Sequence, residues 1–224
     1  MSQMYLKRRV HRYTRACFAL FTVFLLWTAF GTSSSAPYLF ELPLPPWLQT
    51  IAVPVLTLVL VMALGAIPGD HGKAVLVFLR VRNPLPGCRA FEKASMMRDP
   101  RIHVEDLRTA LGGSFPRAAI EQNATWYRLY KSIAAEPDIE GVHFEYLLFR
   151  DLTWLTILFL STSAFSFVLV GPSHVPFFLL SLFFLALAAL FRHAAAERGV
   201  RFVNSVLART AAAHGAGNKP ASQG

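Results

Sequence analysis

Four stretches of this chain hold no Asp, Glu, Lys, Arg or His: 16–36, 48–67, 152–171 and 175–191. Each approaches the roughly 20 residues, tolerated down to ~17, that a helix needs to cross the hydrocarbon core of a bilayer. In hydrocarbon, backbone N–H and C=O groups must be satisfied within the structure that spans it, so apolar segments of this length are read as helices. Composition agrees, because 54% of the 224 residues are hydrophobic and only 16% are charged. Mean hydropathy is +0.42, outside the usual soluble range. The expectation is an all-α integral membrane protein: four transmembrane helices arranged as two hairpins, with a small helical cytosolic domain between them.

Charge placement orients such a chain. Of the 22 Lys and Arg, five lie in 1–15, twelve in 68–151 and five in 192–224, which leaves none for the two loops on the far side. With both termini and the middle region in the cytoplasm of a bacterial inner membrane, this satisfies the positive-inside rule throughout. The formal charge of +9 then reflects topology and attraction to anionic headgroups, not nucleic-acid binding. A signal peptide is the alternative for the first window, since five cations precede it and SSSAP resembles a cleavage site. Its bulky FALFTVFLLWTAF run favours a retained anchor.

The chain therefore divides into a basic tail (1–15), a first hairpin (16–67), a cytosolic helical domain (68–151), a second hairpin (152–191) and an amphipathic helix with a flexible tail (192–224). Pro37, Pro43, Pro45 and Pro46 forbid a regular helix in the first outside loop. Pro54 predicts a kink in the second span. In the middle region, NPLPG predicts a chain reversal and HVEDLRTALGG a short helix stopped by Gly112 and Gly113. Ser114 is expected to cap a longer helix whose apolar face is Ile120, Ala124, Tyr127, Tyr130 and Ala134. After Pro137 a helix is expected to run unbroken into the third span, projecting a stalk into the cytoplasm; a hinge at Gly141 or at Arg150-Asp151 is the alternative.

Chemistry is sparse. No HExxH, zinc-spaced Cys/His set, glycine-rich phosphate loop or GxSxG elbow occurs, so no catalytic residue, metal site or cofactor is expected. Cys17 opens the first span and Cys88 lies in the expected cytosolic domain, a reducing compartment, so the two are not expected to pair. The candidate ligand or partner surface comprises Arg89, Asp99, Arg101, Trp126, Arg128 and Lys131, because aromatics and cations together suit anionic or planar ligands. For Trp126 and Tyr130 a core role is the stronger expectation. Thr156, Ser163 and Ser166 are read as a seam in the third span, for helix packing or, less simply, for a pore. The spans carry no ionisable residue of the kind that ion pathways use.

The succession LPGCRAF, DPRI and EQNATWYRLYK resembles uncharacterised small bacterial multi-span membrane proteins with a compact cytosolic insert, some encoded beside mobile or defence genes. That resemblance implies a membrane effector or sensor with a place in phage defence, and carries no catalytic residue across. The functional expectation is a non-enzymatic effector or signal-coupling subunit. Its partners would be membrane lipids and a second copy of the chain or a cytosolic protein. The alternative is a membrane-bound enzyme or carrier for a lipid-like substrate, using Arg89, Asp99 and Arg101.

Overall fold

The computed structural model describes residues 3–31, 69–92, 99–170 and 175–217. Among them are six α-helices and no strand: α1 (Gln3–Gly31), α2 (Asp70–Phe78), α3 (Val104–Ala110), α4 (Ala119–Ile133), α5 (Pro137–Val170) and α6 (Val175–Gly217). The window 48–67 with Pro54, the proline-rich loop before it and the turn at 171–174 lie outside the described residues.

Two helices dominate. α5 opens with Pro137 and places Asp138 and Glu140 in its first turn, where a fixed φ and negative charge suit a helix N-terminus. It then runs 34 residues, roughly 51 Å, with no break at Gly141 or at Arg150-Asp151. α6 runs 43 residues, roughly 65 Å, and packs against α5 over much of that length. By length and composition, Pro137–Phe165 and Val175–Gly215 are the two candidate membrane spans among the described residues. Phe178, Leu179, Leu182, Phe183, Leu185 and Leu190 leave the outer side of α6 exposed and apolar.

The pair α5–α6 carries two successive cores. The upper one joins Leu152, Leu155, Leu158 and Phe159 of α5 to Leu180 and Phe184 of α6 and Leu25 of α1. Phe18 and Phe21 of α1 lie 5.7 and 5.5 Å from the Phe159 ring. The lower core joins Leu107, Trp126, Tyr130, Ile139, Tyr146 and Leu147 to Phe202, Val203, Val206 and Leu207 of α6, and takes in Leu6 and Val10 of α1. The basic N-terminal segment and the C-terminal helix are thus parts of the same core as 68–151.

Short elements dock onto this frame for identifiable reasons. Leu79 and Asn83, both with positive φ, turn the chain after α2. A 3-10 turn at Pro86–Arg89 follows and lies against α4. There Phe91 N–H donates to Gln122 Oε1 (3.2 Å), while Gln122 Nε2 donates to the Arg117 carbonyl. A Cβ on Gly87 would stand 2.7 Å from Trp126 Cε3, so only glycine lets this turn approach the indole. LPGCRAF and EQNATW are therefore two halves of one clasp. Gly112 (φ 80°) and Gly113 (φ 98°) end α3 as expected.

Two local expectations are corrected. The buried face of α4 is Gln122, Trp126 and Tyr130, whereas Ile120 (73% exposed) and Tyr127 (46%) point away from the core. The i, i+4 row through two large aromatics buries more surface than the row through Ile120 and Ala124, and the paired amide of Gln122 permits its burial. Ser114 does not cap α4. The helix begins at Ala119 behind Ala118, without a side-chain cap.

Candidate functional site

The distinctive polar feature sits where the lower core meets the upper one. Arg150 and Asp151 end the polar part of α5 just before the charge-free window at 152, and Asp70 and Lys73 occupy the first turn of α2. Lys73 Nζ donates to Asp151 Oδ1 at 3.1 Å. Arg150 donates to the same oxygen through Nε (3.2 Å) and Nη2 (3.1 Å). Its Nη2 also lies 2.9 Å from Asp70 Oδ1. The Arg150 side chain is 8% exposed, that of Asp151 9% and that of Lys73 15%. Breaking a buried pair of this kind commonly costs about 3–5 kcal/mol, because an uncompensated charge remains. Lys7, Val10, His11 and Leu147 complete the walls of a cavity of about 80 Å3 beside these groups.

Below the cluster the aromatic packing is dense. The His143 ring stacks on Phe202 at 4.6 Å and 4°, and its Nδ1 lies 3.0 Å from the Tyr130 hydroxyl. Burial first, then the charges of Arg150 and Lys7, pull the His143 imidazole down to about 4, while Asp70 acts the other way. It is therefore neutral at ordinary pH. The Tyr146 phenol is pushed up to about 12, chiefly by burial, beneath the Arg150 guanidinium at 5.9 Å. Gly199 makes this approach possible, since a Cβ there would lie 3.1 Å from Tyr146 Cε2 and 2.8 Å from Phe78 Cζ.

The residues singled out in the sequence do not converge on one surface. Arg89 pairs with Glu92 at 3.5 Å. Asp99 and Arg101 form a separate bidentate pair, with Nε–Oδ1 2.9 Å and Nη2–Oδ2 2.7 Å, closed further by the Arg101 N–H. The Arg101 hydrogen bond lowers the Asp99 pKa from its ordinary value, and the same bond raises that of Arg101. Arg101 also borders an open groove of about 580 Å3 between the lower parts of α5 and α6. Trp126 is buried, 5.7 Å from Tyr130 and edge-on to Phe202. It is thus withdrawn from any surface shared with Arg128 and Lys131. Those two are exposed, Arg128 donating to Thr125 Oγ1 and Lys131 lying 5.4 Å over Tyr127.

In the third window, Thr156 and Ser163 are fully buried. Thr156 donates to backbone carbonyls of its own helix, and Ser181 Oγ donates to Ser163 Oγ at 3.1 Å across the α5–α6 seam. Ser163 thus lies at the contact of α5 with α6. Ser166 lies outside the residues whose side chains are described. Burial raises the pKa of Cys88, against the opposing pull of Arg89, so it is not an activated thiol.

Sequence reasoning passed over Asp70, Lys73, Arg150, Asp151 and His143. The signal was present in the way Asp70 and Asp151 each fall within a few residues of a charge-free window. Compared with protein-family models, curated proteins and solved structures, the chain matches none.

Proposed function

We propose that this chain is a multi-span protein of a bacterial inner membrane, with both termini and its helical domain in the cytoplasm. That domain senses a partner or ligand and passes the change to the spans, as a non-enzymatic effector or signal-coupling subunit. One observation carries the reading: α5 and α6 each run without a break from the lower core into the upper one, so neither core can repack without the other. Four spans and cytoplasmic termini are supported by the charge-free windows and the distribution of Lys and Arg. Placement in phage defence rests on the resemblance of LPGCRAF, DPRI and EQNATWYRLYK alone. For an enzyme or carrier built on Arg89, Asp99 and Arg101 there is less support, since these side chains are engaged in two separate ion pairs.

The test is a helix break at the junction. Leu148→Pro removes a hydrogen bond inside α5 at a cost of about 3 kcal/mol, between the two cores. Under the proposal, the overproduced parent depolarises the membrane or arrests growth, whereas the variant inserts and accumulates without that effect. Equal effect from both, or from the spans alone, would reduce α5 to a tether.

A further inference from the structure

The junction cavity has more donors than acceptors. Five charged residues line it: Lys7, Lys73 and Arg150 against Asp70 and Asp151, with His11 beside them. Asp151 Oδ1 is already shared by Lys73 Nζ and by Nε and Nη2 of Arg150. Asp70 Oδ1 is taken by Arg150. Among the described residues Lys7 makes no ion pair, and Lys73 pairs with Asp151. A guanidinium held 8% exposed and an ammonium held 15% exposed share one carboxylate oxygen, which does not fully offset the cost of desolvating both. The surplus charge of these five residues is +1, so the missing partner is an anion. The cavity of about 80 Å3 is between two and three times the ~30 Å3 share of a liquid water, room for a tetrahedral oxyanion. Arginine and lysine together are the usual donors to phosphate.

We propose that this cavity is a phosphate-binding site, formed by Arg150, Lys73 and Lys7 at the meeting of α1, α2 and α5. Its position specifies the source. Asp151 immediately precedes the apolar window 152–171, so if that window spans, the cavity lies at the headgroup level of the inner leaflet. The phosphate is then that of an anionic phospholipid. Bound there, it ties the entry of α1, the start of α2 and the stalk α5 to the membrane surface. The lipid source rests on the membrane reading above, whereas phosphate binding does not.

The test uses the full chain purified in a neutral detergent. Binding of phosphatidylglycerol, with phosphatidylcholine for comparison, is followed by native mass spectrometry, and inorganic phosphate is added separately in a thermal-shift measurement. Lys7→Gln is the informative variant, since Lys7 is exposed and makes no described ion pair, so the fold is preserved. Arg12→Gln removes the same charge from the same helix but lies off the cavity wall. The expected result is a five- to tenfold weaker retention of phosphatidylglycerol by Lys7→Gln, with Arg12→Gln within twofold of the parent. If inorganic phosphate stabilises the parent but not Lys7→Gln, and phosphatidylglycerol does not bind, the phosphate site stands and the lipid source falls. Equal losses in both variants would reveal only diffuse attraction of a basic helix to anionic lipid. That outcome, or no binding of either probe, overturns the site.

Discussion

Gly87→Ala offers a sharp test of the clasp between the 3-10 turn and α4. The new methyl would stand 2.5 Å from Asn123 Oδ1 and 2.7 Å from Trp126 Cε3, both well inside van der Waals contact. Asn123 can rotate its amide away. Trp126 cannot, because it is 6% exposed, stacks on Tyr130 at 7° and meets Phe202 edge-on. Overpacking of this kind costs about 1–3 kcal/mol, against roughly 0.4–1 kcal/mol gained from the stiffer unfolded chain. The net expectation is a loss of about 1–2 kcal/mol, or roughly 2–8 °C in Tm for a chain of this size. Thermal unfolding of the detergent-purified protein, followed by near-ultraviolet circular dichroism of the tryptophans, measures it. Gly141→Ala is the matched control: no atom lies within 4 Å of its added methyl, so in a helix it should stabilise by about 0.5–1 kcal/mol. Trp126→Phe should remove most of the Gly87→Ala penalty in a double-mutant cycle. A Gly87→Ala protein as stable as the parent, or a penalty unchanged by Trp126→Phe, would refute the close packing of the 3-10 turn on α4.

Three further outcomes are expected. Because the folded imidazole of His143 sits at about 4 against an ordinary 6.5, the unfolded chain takes up the proton first on acidification. Stability present above about pH 6.5 should therefore fall by up to about 3 kcal/mol on the way to pH 4, and urea titrations of His143→Phe should lack that slope. Trp126→Ala should cost about 3–5 kcal/mol, read as lost protease resistance of the lower core. Reporter fusions after Ser34 and Ser173 should report outside, and those after Ser95 and at the C-terminus inside; any exchange of sides overturns the orientation.

What was legible in the sequence follows from the range of the forces involved. The unbroken α5, the α3 stop at Gly112-Gly113 and the turn chemistry before the 3-10 segment are local, and local signals sufficed for them. The α4 face was misread because apolar periodicity alone favours the row through Ile120 and Ala124. The row that packs holds a polar residue, Gln122, whose burial depends on a partner 31 residues away. The charges of the junction cluster were visible beside the charge-free windows, but their pairing was not, for the same reason: Lys73 and Asp151 are 78 residues apart. The role of α6 in the lower core was legible only as an amphipathic pattern, with Val203, Val206 and Leu207 on one side, without the identity of what they pack against.

Continuity between the lower and upper cores is most directly tested across the Ser181–Ser163 contact, where the hydroxyls lie 3.1 Å apart. Ser163→Cys and Ser181→Cys are introduced into the full chain in lipid nanodiscs, with Cys17 and Cys88 replaced by Ala, and the rate of disulfide formation is measured. The same rate is then measured with Trp126→Phe, which loosens the lower core without emptying it. The account requires the cross-linking rate to change several-fold when the lower core is loosened, and Leu148→Pro to abolish that dependence. A rate unchanged within twofold, in a protein whose lower core has measurably lost protease resistance, would show that the two cores move independently and would contradict the coupling.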